Sequence, residues 1–163
     1  FLGIPFYSYR YNSEGHWRDN TLVRLEVEQE DDGVISRTNV LKQDEFLQIE
    51  GPAGMAKSPL NTFPTNHWHA GVLKASRIIN TLNGTISNVD IRNVADEIIR
   101  AEGKDITAKK YVYSGDFETQ VWYDSHGRWV KMQFLGRDGS KIEYECIRCG
   151  LSGVKSKQRP YLK

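Results

Sequence analysis

Two short runs carry the residue types most able to do chemistry. His67-Trp68-His69 is an x-His-x-His pattern, and extended backbone would turn both imidazoles to one side, where they could hold a metal such as zinc. Two nitrogens make an incomplete site, so Asp, Glu or a partner chain would have to complete it. The plainer alternative is a loop whose histidines hydrogen-bond nearby backbone while Trp68 anchors it on a sheet. Cys146-Ile147-Arg148-Cys149 has the spacing of a zinc knuckle or a redox pair. It ends a strand, however, with no helix behind it to lower a thiol pKa. Gly150 stands where a haem-attachment motif needs His. In an oxidising compartment the two cysteines would close a small terminal disulfide. Brought together, His67, His69, Cys146 and Cys149 would satisfy tetrahedral zinc, the basis for an alternative reading as a metal-dependent or redox enzyme.

A third group, Asp116, Glu118, Asp124 and His126, lies along one hairpin and has the residue types for general acid-base work. Strand alternation argues against it, because Glu118 and Asp124 share a face with Gln120 and Trp122, as a solvated surface with an aromatic patch would. Asn83-Gly84-Thr85 matches a glycosylation sequon, but Asn83 is explained by its turn. The chain has no Gly-x-Ser-x-Gly, phosphate loop, dinucleotide fingerprint or His-Glu-x-x-His. It gives a fold class and states no reaction, and no cofactor follows from it beyond the zinc considered above.

These residues sit in a chain of 163, 39% hydrophobic and 26% charged, the composition of one ordinary folded domain. Eight Tyr, six Phe and four Trp offset the modest hydrophobic share, since large aromatics build a core from fewer residues. Disorder and collagen-like structure are excluded. A formal net charge of +1 lacks the broad footprint of a dedicated nucleic-acid binder. No apolar run approaches the roughly 20 residues of a membrane-spanning helix.

The positioning elements are strands. Tyr7, Tyr9 and Tyr11 fall on one face at period two within residues 6–11, so the chain opens inside a sheet and native strands are expected ahead of Phe1. Residues 21–28 alternate, with Val23, Leu25 and Val27 on the dry side. Asp31-Asp32-Gly33 reads as a hairpin turn, followed by strands over 34–41 and 45–50. Gly51-Pro52-Ala53-Gly54 breaks the run, and 58–69 reads as loop. A short helix is expected over 67–75, capped by Thr65 or Asn66. Asn83-Gly84 signals a tight hairpin with both residues at positive φ. Strands over 106–114, 117–124, 128–135 and 140–147 follow, separated by Gly-containing turns. Ile142, Tyr144 and Cys146 face one way. Residues 93–101 read as strand or helix. The sum is a mainly β chain: a single strongly curved antiparallel sheet, an open or half-barrel meander, with one or two short helices. Residues 1–149 form this domain. Residues 150–163 form a basic tail with Lys155, Lys157, Arg159 and Lys163 and no acid.

Several of these residues also carry a likeness. Gly3-Ile4-Pro5-Phe6-Tyr7-Ser8-Tyr9-Arg10-Tyr11, Trp17-Arg18-Asp19, Asp31-Asp32-Gly33, Pro64-Thr65-Asn66-His67-Trp68, Ser114-Gly115-Asp116, Trp122-Tyr123-Asp124, Gly127-Arg128-Trp129-Val130 and Asp138-Gly139-Ser140 resemble a bacterial family, the domain of unknown function DUF6134. The likeness runs to about Cys146 and rests on turn and strand signatures. It implies an exported, periplasmic protein with a signal peptide and additional N-terminal strands, and supplies no catalytic residues. The Trp-Tyr-Asp, Gly-Arg-Trp and Asp-Gly-Ser succession is also remotely similar to periplasmic single-sheet domains such as the lipoprotein carriers LolA and LolB, in which a curved sheet wraps a helix or an apolar ligand.

The functional expectation is a non-enzymatic, exported accessory or binding module that holds a protein partner or an apolar ligand, as a subunit of an assembly. Its surface would comprise Tyr7, Tyr9, Tyr11, Trp122 and Trp129, together with Lys155, Lys157 and Arg159 of the tail.

Overall fold

The computed structural model describes residues 8–136 and 139–150. About two thirds of the described residues are strand. Among the described residues, twelve strands form two sheets instead of the single one expected. The first is a five-stranded meander of β1 (Tyr9–Arg18), β2 (Thr21–Asp31), β3 (Val34–Lys42), β4 (Phe46–Gly51) and β5 (Gly54–Pro59), in sequence order. The second has seven strands: β6 (Phe63–Pro64), β7 (Arg77–Ile79), β8 (Ile86–Ala101), β9 (Lys104–Gly115), β10 (Thr119–Asp124), β11 (Trp129–Leu135) and β12 (Lys141–Glu145), again in sequence order. The second sheet curls into a half barrel, whereas the first is not strongly curled. Every pairing is antiparallel except β6 with β7, which is parallel.

The break into two sheets falls in the loop-like region around residue 60. β5 does form there, turning back on β4 through Pro52-Ala53. Glycine is required at position 51, because a Cβ would sit 2.7 Å from the carbonyl oxygen of Asn83. That carbonyl instead accepts from the Ala53 N–H at 3.0 Å, so the 80–85 connection is fastened across the end of the first sheet.

Two-residue turns account for the long hairpins. Asp19-Asn20 (φ 48° and 60°), Asp32-Gly33 (51° and 82°) and Glu102-Gly103 (51° and 74°) each place both central residues at positive φ, the geometry that matches strand twist. The first of these extends β1 well past residue 11. Asn83-Gly84 differs from expectation: only Gly84 has positive φ (81°), and the connection from β7 to β8 spans 80–85. Asn83 Oδ1 instead accepts from Thr85 N at 2.9 Å and Thr85 Oγ1 at 2.8 Å, closing a side-chain turn. Gly127 has positive φ (72°), as does Gly139 (80°); Arg137 and Asp138 lie outside the described residues. A bulge opposite His16 and Trp17 makes Val23 the extra residue in β2. That phase change buries Leu22 alongside Leu25 and Val27 and leaves Val23 half-buried.

Residues 93–101 are strand, held against β9 over the whole 104–111 stretch. The expected helix over 67–75 shrinks to one 3-10 turn, Ala70–Lys74, capped by His69 and not by Thr65 or Asn66.

Three apolar clusters hold the molecule together. Leu22, Leu25, Val40, Leu47 and Ile49 of the first sheet close on Ile79 of the second. The inner face of the curled sheet gathers Tyr113, Val121, Tyr123 and Trp129 with Val72, Ile78 and Tyr9. Its outer face carries a smaller cluster of Ile99, Ala101, Ala108, Trp122, Val130 and both cysteines. Adjacent residues on one strand point to opposite sides, which is why Trp122 and Tyr123 belong to different clusters.

Candidate functional site

Tyr9 and Tyr11 keep the period-two placement read from the sequence, and both turn inward. The open end of the β1–β2 hairpin meets the inner face of the curled sheet there, around a pocket of about 400 Å³, within the usual range for small-molecule sites. Tyr9 packs edge-on against Phe134 (6.0 Å between centroids), which stacks on Tyr144 at 6.0 Å. Phe117, Met132 and Trp129 continue the apolar wall. Met132 and Phe134 alternate with Gln133 along β11, so period two was the signal that could have found them.

The opposite wall is polar and tied down. Tyr11 Oη and Thr81 Oγ1 lie 2.8 Å apart, Thr81 Oγ1 lies 2.8 Å from Thr65 Oγ1, and Thr81 N donates to Thr65 Oγ1 at 3.0 Å. Gln29 Nε2 donates to Leu82 O at 3.0 Å, and Tyr9 Oη to Gln29 Oε1 at 3.4 Å. Burial pushes the Tyr11 hydroxyl up to about 12 against the opposing pull of its Thr81 hydrogen bond, so it stays protonated.

His67 sits deepest, 1% exposed, with φ of 61°. Positive φ is costly for a residue with a Cβ and persists only where the surroundings impose it. Here Tyr123 Oη donates to the His67 carbonyl at 2.7 Å. The imidazole meets Tyr113 edge-on at 5.4 Å and Trp129 at 6.2 Å. Nδ1 lies 3.5 Å from Tyr113 Oη, and Nε2 has no hydrogen-bond partner among the described residues. Burial lowers its pKa to about 3, so the ring is neutral at ordinary pH. Burial likewise raises the Tyr113 and Tyr123 hydroxyls.

Two neighbours share this lack of partners. Both amide atoms of Asn66 and the indole N–H of Trp129 are buried without a hydrogen bond among the described residues, and both residues line the pocket with His67. The Asn66 amide nitrogen lies close to β1, 3.7 Å from where a Cβ on Gly15 would stand. Buried hydroxyls of Thr38 and Ser58 also lack partners, but neither residue lines the pocket. No lysine or arginine is among the described lining residues, whereas Asp31 and the exposed Glu118 are. The result is an aromatic pocket with no cation among its described lining residues and with hydrogen-bonding capacity unused at one end.

The other candidates fall elsewhere. His69 points away from His67, because the positive φ at His67 breaks the extended backbone that would align them. It stacks on Trp17 at 5.0 Å. Its Nδ1 accepts from Gly71 N at 3.0 Å, so Nε2 carries the proton donated to Asn20 Oδ1 at 3.2 Å. Both ring nitrogens are thereby in use. Cys146 and Cys149 form a disulfide, Cα–Cα 5.6 Å, on the outer face of the curled sheet, away from the inner-face cluster that His67 joins. The four residues therefore do not assemble, and among the described residues no three His, Cys, Asp or Glu side chains converge on one point.

Trp122 is also an outer-face residue, so it does not share a surface with Tyr9, Tyr11 and Trp129. It is 2% exposed rather than part of a solvated patch. Its indole N–H donates to Glu97 Oε2 at 2.9 Å, and the Lys110 and Lys131 ammonium groups lie 5.0 and 5.1 Å from its ring. Asp124, on the same face, is buried too. It accepts from Arg128 Nε at 2.7 Å and from the His126 and Arg128 backbone N–H groups at 2.9 Å each. Burial raises its pKa, but these hydrogen bonds outweigh it and leave the carboxyl below its ordinary value. Asp116 accepts from the Asn88 backbone and side chain and Glu118 lines the pocket, so of the four-residue acid-base set only Asp124 and His126 stay together, 3.8 Å apart. Tyr7, Lys155, Lys157 and Arg159 lie outside the described residues.

The described residues contain no helix long and apolar enough to cross a membrane. No curated protein and no solved structure matches the chain, so the remoter likeness to LolA and LolB finds no support there. A family model does match, over residues 1–147. The quoted turn and strand signatures thus place the chain where the sequence pointed: it belongs to the DUF6134 family, a domain of unknown function.

Proposed function

We propose that this protein is a non-enzymatic binding module that holds an apolar ligand in the pocket between its two sheets. The carrying observation is the pocket itself, about 400 Å³, walled by Tyr9, Phe117, Trp129, Met132, Phe134 and Tyr144. A cavity of that size lined by aromatics loses contacts and gains nothing when empty, and an apolar ligand recovers both dispersion and burial. The Cys146–Cys149 disulfide supports an exported setting, because such bonds persist in oxidising compartments. The periplasm is the compartment we assign.

Native mass spectrometry of protein purified without detergent, with organic extraction of any bound species, tests the reading. An adduct of a few hundred daltons, or uptake of an apolar fluorescent probe that quenches indole emission, is expected. Met132→Trp narrows the pocket and should weaken uptake while leaving the circular dichroism spectrum unchanged. Equal probe uptake by the narrowed variant would refute the pocket as the site.

A further inference from the structure

The unused hydrogen-bonding groups at the closed end restrict what the pocket takes. Resting on the reading of the pocket as a ligand site, we infer that its ligand is an uncharged amphiphile. Its polar head offers both a hydrogen-bond acceptor and a donor, as a primary carboxamide does, and is held by Trp129, Asn66 and His67.

The argument is an accounting of donors and acceptors. The Trp129 indole can only donate, so the ligand must bring an acceptor. The Asn66 carbonyl can only accept, so the ligand must also bring a donor. Both residues are at least nine-tenths buried and have no partner among the described residues, which is costly unless something else completes them. Neutral His67 can serve either way through Nε2, depending on which tautomer Tyr113 favours across the 3.5 Å contact at Nδ1.

Charged heads fail on the same accounting. A carboxylate satisfies Trp129 but leaves the Asn66 carbonyl unpaired, and it buries a negative charge where the described lining holds no cation and two acids, Asp31 and Glu118. An alkylammonium has no acceptor for Trp129 and brings an ion into the dry aromatic end. A plain alkane gains the burial term and leaves every polar group as it was.

The discriminating experiment is calorimetric titration of the intact protein with ligands of one chain length, kept below micelle formation: decanamide, decanoate, decylammonium and decane. The amide should bind about tenfold or more tighter than either ion, the order of one or two hydrogen bonds. Trp129→Phe, and separately the apolar near-isostere Asn66→Leu, should erase most of that margin while leaving affinity for decane within about twofold. Having two variants covers the case in which one fails to fold. Binding of all four ligands with equal affinity, or tightest binding of decanoate, overturns the head-group inference and leaves the pocket reading standing. A preference that survives both substitutions also overturns it, because the head would then be read elsewhere. Failure of every ligand, decane included, strikes the pocket reading itself.

Discussion

Two tryptophans on opposite faces of the same curled sheet have had their polar atoms treated in opposite ways. On the outer face the Trp122 indole N–H is bonded to Glu97, two lysines sit over the ring, and the adjoining Asp124–Arg128 pair reaches the Cys149 carbonyl at 3.1 Å. On the inner face the Trp129 indole N–H is buried with no partner, beside Asn66 and His67 in the same condition. A saturated cluster is finished by folding. An unsaturated one keeps binding capacity in reserve, and that contrast separates structural from functional polarity more sharply than residue type does.

The largest expected effect that would break this comparison is acid sensitivity. His67 ionises in the unfolded chain near its ordinary value of 6.5 but in the fold only near 3. Because the folded pKa is depressed for a base, the unfolded state binds the proton first, and stability falls as pH drops from 6.5 towards 3. The difference corresponds to up to about 5 kcal/mol. Urea unfolding of the native protein and His67→Asn, whose side chain tolerates positive φ, should give profiles that diverge across that window. Parallel profiles would show that the imidazole is not held neutral.

Next comes the direct pairing. Trp122→Phe should destabilise by about 2 kcal/mol, through lost packing, the Glu97 hydrogen bond and the lysine contacts. Trp129→Phe should cost well under about 1 kcal/mol, since it removes an unpaired N–H beside an existing cavity. Equal losses in chemical denaturation would erase the distinction drawn here.

Replacing both cysteines by serine releases a loop of three-residue separation and should cost about 2 kcal/mol by loop-closure entropy, with pocket binding unchanged. Loss of ligand uptake in that variant would couple two faces described here as separate.

Asp124→Asn weakens a charge-assisted hydrogen bond to Arg128 and should cost about 1–2 kcal/mol. The carboxyl's depressed pKa means that its stabilising contribution is present above the ordinary carboxylate range and disappears as pH falls through the folded value. Thermal scans at pH 7 and pH 3 should therefore separate native protein from variant at the first pH and bring them closer at the second.

Much of the second sheet could be read from residue order, because glycines at positive φ mark the turns between its later strands and β12 alternates cleanly. Ile142 and Tyr144 are buried in the inner-face cluster, as their spacing required, whereas Cys146, just past the end of β12, joins the outer-face cluster instead of sharing their side. The first sheet was harder for local reasons. Asn12, Ser13 and Gly15 are poor strand formers, and they hid the outer half of β1, which is held by pairing with β2 and by the Asp19-Asn20 turn. Residues 93–101 looked equally helical until β9 supplied partners. Of the site, Tyr9, Tyr11 and Trp129 were singled out from pattern. The orphaned state of Asn66 and His67 could not be read from the sequence, since it depends on what three distant segments fail to offer them.

The meander order of both sheets also sets a folding sequence. Nearly every strand pairs with its sequence neighbour, so hairpins such as β8–β9 close small loops and can assemble early. Contacts that span the chain, such as Tyr9 on Phe134 and Tyr11 on Thr81, can form only when the two finished sheets dock, and those contacts bound the pocket. The cavity is then among the last features to appear and the first to open. A ligand inside it would retard unfolding while leaving the refolding rate almost untouched.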